Sequence, residues 1–151
     1  MPLDSLRKNI EDLGSFDWGA ELNVIVDANT DSIIQLQEDQ MYEGKDVEGK
    51  DITLDGRGYS KKTFEYKESK GQPTGRVTLK DTGDFYASLE AVVDNGVLEI
   101  NGKTEYSSEL IERTGNAIFG LNQSKKEQFG VNVVLPAIGQ IYKSKTGFEI
   151  E

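Results

Sequence analysis

The chain has 151 residues and a formal charge of −10, from 27 acids and 17 bases, with 36% apolar residues, no cysteine and no histidine. One modest core suits that length and composition, while disulfides, thiolate nucleophiles, cysteine or histidine metal sites and Ser-His-Asp triads are excluded. The acidic balance argues against a nucleic-acid or anionic-membrane binder, and no run approaches the roughly 20 apolar residues that span a bilayer.

Taken in chain order, Met1-Pro2-Leu3-Asp4 lacks the basic and apolar regions of a signal peptide. Residues 3–14 read as a short helix, capped by Asp4, with Leu6, Ile10 and Leu13 at helical spacing and Gly14 as its stop. Ser15-Phe16-Asp17-Trp18-Gly19 reads as a tether whose aromatics Phe16 and Trp18 dock onto a core or a neighbour. From Glu21 to about Glu43 the stripe of Leu22, Ile25, Val26, Asn29, Ile33, Leu36 and Gln40 predicts one long helix. The β-branched Val24-Ile25-Val26 leaves its first part open to a strand.

Residues 44–60 are turn-rich, with Gly44, Gly49, Gly56 and Gly58 among lysines and aspartates, and are expected to be mobile in an isolated chain. Residues 61–70 suit a helical turn or an edge strand, and Gly71 to Gly75 a loop. The clearest hairpin is Leu89–Val93, the turn Asp94-Asn95-Gly96, and Val97–Ile100, because Asn-Gly supplies the positive φ of a primed turn. Residues 105–114 predict a helix with Tyr106, Leu110 and Ile111 inward. Ile118-Phe119-Gly120-Leu121 is an apolar bridge. Asn122 caps a last helix, which Pro136 kinks or restarts.

The expected fold is therefore α+β, about four helices around a small antiparallel sheet. Residues 1–20 form the N-terminal helix and tether, 21–145 one domain, and 146–151 a tail. The candidate subunit interface comprises Phe16, Trp18, Ile118, Phe119 and Leu121.

Three motifs carry possible chemistry. Asp81-Thr82-Gly83 spells the triplet of aspartic peptidases, in which two aspartates share a proton across a dimer. Lys80 before it and Asp84 after it would disturb such a dyad. The favoured reading is a helix-cap motif, with Asp81 or Thr82 accepting from the first helical N–H groups. Asp27, Asn29, Asp31 and Glu38 match positions one, three, five and twelve of an EF-hand loop, with Ile34 at eight. Ser32 stands where that loop needs glycine, so a polar helix face is preferred over a calcium-binding module. Lys61, Lys62, Lys67, Lys70 and Arg76 form a basic cluster that reads as a solvated loop, or as a patch seeking an acidic neighbour. No catalytic, cofactor or metal site is assigned, and the expectation is a protein without catalysis.

The order of elements from about Gln40 to Ile141 resembles the tail-completion, or virion-morphogenesis, proteins of tailed bacteriophages. The resemblance rests on Leu79-Lys80-Asp81-Thr82-Gly83-Asp84-Phe85-Tyr86-Ala87-Ser88, the hairpin at Asn95-Gly96, Tyr106 to Gly115, and Ile118-Phe119-Gly120-Leu121. Gln40 to Asp46 and Lys67 to Arg76 are similar to versions in crAss-like phages of Bacteroides. The resemblance implies a structural protein of the neck, in a closed ring of about six or twelve copies. Its partners would be itself, the portal-side adaptor and the tail. It would be located in the virion, and in the host cytoplasm during assembly. An acidic wall would let the genome pass without sequence-specific binding.

Overall fold

The computed structural model describes residues 3–149. α1 (Leu3–Ser15) and α2 (Trp18–Ala28) meet at a tight turn rather than across a tether. Asp17 caps α2, its carboxylate accepting from the Ala20 N–H at 2.9 Å. α1 packs against the last helix of the chain. Ile10 faces solvent, and the Leu6 side chain lies outside the described part.

The single helix expected over 21–43 is two helices. α2 ends at Ala28, and α3 (Thr30–Tyr42) begins after Asn29. Asn29 sits at φ −123°, ψ 28°, and its side-chain amide donates to the Ile25 carbonyl at 2.7 Å. A short amide of this kind competes with the backbone ladder and breaks the helix. The break re-aims α3 so that Ile33, Leu36, Gln37, Gln40 and Met41 are all buried.

Beyond α3 come α4 (Lys61–Ser69), the one-turn α5 (Asp84–Ala87), and the strands β1 (Leu89–Asp94) and β2 (Val97–Gly102). α6 (Ser107–Thr114), a 3₁₀ turn at Asn116–Ile118, α7 (Gln123–Phe129) and α8 (Leu135–Thr146) complete the chain. The α+β class holds, but with more helices than the four expected, and among the described residues the sheet is the hairpin alone. Its register pairs Asp94 with Val97 and Leu89 with Gly102 around Asn95 (φ 48°) and Gly96 (φ 76°), as the Asn-Gly turn dictates. Two such strands are not stable alone in water; β1 packs on α2 and α3, which support them.

Two buried clusters make the core. Met41, Ile52, Val77, Phe85, Tyr86, Leu89 and Ile118 form one. Ile33, Leu36, Ile100, Leu121 and Phe129 form the other. Ile34 and Phe119 pack against both and join them. Gly102 is needed where the hairpin closes on the first cluster, since an added Cβ would lie 2.7 Å from the Phe85 ring. Gly102→Ala is expected to cost about 1–3 kcal/mol by overpacking, read as a lower denaturation midpoint with an unchanged slope.

The expected mobility of residues 44–60 is not what the fold shows. Ile52 is buried, and its N–H donates to the Gly44 carbonyl at 2.8 Å. Val47 N–H donates to Ala117 O and Asp55 N–H to Arg113 O, both at 2.8 Å. The Asp46 carboxylate accepts from the Glu48 and Lys50 N–H groups at 2.9 Å. The loop is thus tied down by its own chain.

At the C-terminal end, Asn122 caps α7 as expected, its side-chain oxygen accepting from Lys125 N–H at 3.0 Å. α7 runs through a π-helical turn at Gly130–Val134 into α8, with Leu135 N–H reaching back to Gly130 O. Pro136 in the first turn of α8 brings no N–H, so the wider turn accommodates the break expected there. Thr146 is the buried last residue of α8, and Gly147 (φ 76°) ends the helix. The expected tail therefore begins one residue later, and Ile150 and Glu151 lie outside the described residues. No helix among the described residues is long and apolar enough to cross a membrane.

Candidate functional site

The apolar bridge at 118–121 was expected to be covered by neighbouring copies. Instead it lies in the chain's own core: Ile118 is 1% exposed, Leu121 6%, and Phe119 is half-buried with its ring 6.3 Å from that of Phe85. Ile118 and Leu121 are therefore core residues rather than interface residues.

Two glutamines hold the bridge. Gln37 Nε2 donates to Ile118 O at 2.9 Å, and Gly120 N–H donates to Gln37 Oε1 at 2.8 Å. One turn along α3, Gln40 Nε2 donates to Gly120 O at 2.9 Å, and Asn122 N–H donates to Gln40 Oε1 at 2.7 Å. A primary amide offers a donor and an acceptor side by side, as a peptide group does. Gln37 and Gln40 thus do for the bridge what a neighbouring strand would, and satisfy four backbone groups, those of Ile118 and Asn122 buried and the two of Gly120 half-buried. Lys125, buried on α7, forms an ion pair with Glu43 at 2.7 Å and ties the same region to the end of α3.

The Asp81-Thr82-Gly83 triplet lines a cavity of about 400 Å³, together with Tyr59, Phe85 and Leu110. Gly83 (φ 96°) occupies the cap position of α5, and Thr82 Oγ1 accepts from Asp84 N–H at 3.3 Å. Asp81 does not cap the helix. Its carboxylate accepts from Lys70 Nζ at 2.5 Å, and Lys70 also reaches the Tyr66 hydroxyl at 3.2 Å. Behind it the buried Lys67 donates to Lys80 O at 2.7 Å and to Gln72 Oε1 at 3.2 Å, 5.0 Å from the centre of the Tyr59 ring. Tyr86 is buried against the same segment and donates to Thr78 O at 2.5 Å; burial pushes its phenol well above the usual value.

The Lys70 hydrogen bond holds the Asp81 carboxyl below the ordinary carboxylate range. A depressed folded-state pKa gives a stabilisation that is present above the unfolded pKa and lost as pH falls through the folded one. Asp81→Asn is therefore expected to lower the melting temperature slightly at neutral pH, and the difference should vanish in acid. The effect is small because both partners are substantially exposed. Melting curves of the two proteins from pH 7 to pH ~2 check this.

No protein-family model, curated protein or solved structure matches this chain.

Phe16 and Trp18, the other expected interface residues, are half-buried at the α1–α2 turn. Their rings meet edge-on, with centroids 4.8 Å apart, and Lys145 Nζ lies 4.3 Å from the centre of Phe16. Tyr106, expected inward, is 42% exposed beside α6, while Leu110 and Ile111 are half-buried. The EF-hand spacing falls on helix: Asp27 lies in the last turn of α2, Asn29 at the break, and Asp31 and Glu38 on α3, so the loop that gathers calcium ligands is not formed. Gln37 was missed in sequence, and Lys67, placed there in a solvated basic cluster, is instead buried. The signal for the first was the pair of glutamines three apart on an otherwise apolar stripe, of which only Gln40 was placed there.

Proposed function

We propose that this chain is a structural virion protein of a tailed bacteriophage, forming a ring in the neck that joins the portal-side adaptor to the tail. The observation that supports it most is the outer face of the hairpin. Val92 and Val97 are 51% and 57% exposed there, on a two-stranded sheet. Exposed apolar strands without further pairing are a liability for a solitary protein and an asset for an assembling one. The core closes without a neighbour, so the chain would enter the ring as a folded unit.

The state of Asp81 supports a structural role over an aspartic peptidase. A shared-proton dyad needs one carboxyl to keep its proton at working pH, whereas Lys70 draws Asp81 toward ionisation. The test is a symmetry-imposed cryo-electron reconstruction of the portal vertex of particles that carry this gene. The reading expects a ring of this fold between portal and tail. Purified particles that lack the protein would refute it.

A further inference from the structure

Two cations are buried among the described residues, Lys67 and Lys125. Lys125 has a counter-charge, the Glu43 carboxylate at 2.7 Å. Lys67 has none: among the described residues no carboxylate pairs with it. Its ammonium carries three N–H groups. One donates to Lys80 O at 2.7 Å and another to Gln72 Oε1 at 3.2 Å, and the centre of the Tyr59 ring lies 5.0 Å away. All three partners are neutral, whereas a buried charge is ordinarily matched by an opposite one. Asp81 does not serve, because Lys70 engages it.

Lys67 also lines the cavity of about 400 Å³ at the Asp81-Thr82-Gly83 triplet. The body of that lining is apolar and aromatic, from Leu54, Tyr59, Leu79, Phe85, Tyr106 and Leu110. Thr82, Asp84 and Tyr106 are exposed, so the cavity opens to solvent. Arg113 brings a second cation to the lining. Asp55 engages it through Nε, at 3.0 Å, and a guanidinium has further N–H donors.

One wall of the cavity is strained. Leu79 has φ 56°, a left-handed conformation that a bulky side chain rarely takes. Three side chains hold the segment there. Tyr86 Oη donates to Thr78 O at 2.5 Å, Thr78 N–H donates to Tyr59 Oη at 2.9 Å, and Lys67 donates to Lys80 O. Strained backbone persists where its surroundings over-determine it, and such places cluster at ligand clamps. Two of the three holding residues, Tyr59 and Lys67, themselves line the cavity.

We infer that this cavity binds a small aromatic monocarboxylate. The ring lies among Tyr59, Leu79, Phe85 and Leu110, where apolar burial and ring contacts hold it. The carboxylate supplies the counter-charge that Lys67 lacks, as a charge-assisted hydrogen bond. Asp84 shares the lining and has no ion-pair partner among the described residues, so it disfavours a doubly charged anion such as a phosphate ester. The site stands apart from the neck reading, and neither depends on the other.

The experiment titrates naphthoate, its neutral amide naphthamide, and phenyl phosphate into the full chain by calorimetry, with the melting temperature as a second readout. Naphthoate is expected to bind about tenfold more tightly than naphthamide, the difference that one hydrogen bond to a charged group makes. It should also outbind phenyl phosphate, and should raise the melting temperature in a concentration-dependent way. Lys67→Gln keeps a side-chain N–H donor but no charge, and should abolish the preference for naphthoate over naphthamide. Leu110→Trp adds bulk to the lining and should weaken both ligands alike, while Asp84→Asn should tighten naphthoate. If Lys67→Gln does not fold, the other two variants and the comparison of ligands carry the test. Equal binding of naphthoate and naphthamide would reduce the cavity to an unselective apolar crevice and overturn the inference. So would tighter binding of phenyl phosphate, no binding of naphthoate, or naphthoate binding that Leu110→Trp leaves unchanged.

Discussion

Gln40→Leu is expected to lower the unfolding free energy by about 2–6 kcal/mol, one of the largest effects of any single substitution in the chain. The side chain is fully buried, and leucine fills much of the same space. The loss is in hydrogen bonding: Gly120 O and Asn122 N–H would each lose their glutamine partner. An unsatisfied buried group costs about 1–3 kcal/mol, and two are created. Gln37→Leu should cost a similar amount through Ile118 O and Gly120 N–H. Because both glutamines act on Gly120, the double variant should fall short of the sum.

Gln40→Glu separates hydrogen bonding from packing. Ionised, it keeps the acceptor for Asn122 but cannot donate to Gly120 O, and it buries a charge. Burial would raise its folded-state pKa, so its stability deficit should be large at neutral pH and shrink as the solution is acidified. Urea denaturation at two pH values distinguishes this from a packing defect, which would not respond to pH.

Ile118→Ala is expected to destabilise the isolated chain by about 2–5 kcal/mol, the usual range for emptying a buried aliphatic site. Ile118 sits in the first core cluster at 1% exposure, beside Met41 and Phe85. The outcome decides between two roles for the bridge. As core, its loss should appear as a lower denaturation midpoint in dilute monomer. As an interface residue, it would leave the monomer's stability nearly intact and weaken only assembly. The fold supports the first.

What the sequence made legible was local. Asn95-Gly96 set the hairpin turn and its register without help from the rest of the chain. Asn122 announced the start of α7, because a cap bonds three residues ahead. What it hid was distant. Gln40 finds its partner 80 residues along the chain, and nothing near it in sequence marks it as more than a polar residue on a stripe. The order of residues 44–60 depends on Ala117 and Arg113, so local composition read it as mobile. Asn29 was counted on an apolar face by its spacing, although its amide could compete for backbone and end the helix there. For the triplet at 81–83, the helix start was legible; the engagement of Asp81 by Lys70 was not, because it required knowing that α4 lies alongside.

The central claim is that the chain folds completely by itself and meets its neighbours only through its outer faces. Hydrogen exchange on dilute monomer tests it most directly. The amides of Val47, Ile52, Gly120 and Asn122 are expected to be protected in the free chain and to stay protected in any assembly it enters. Rapid exchange of those four amides in the monomer, with protection arising only on assembly, would contradict it.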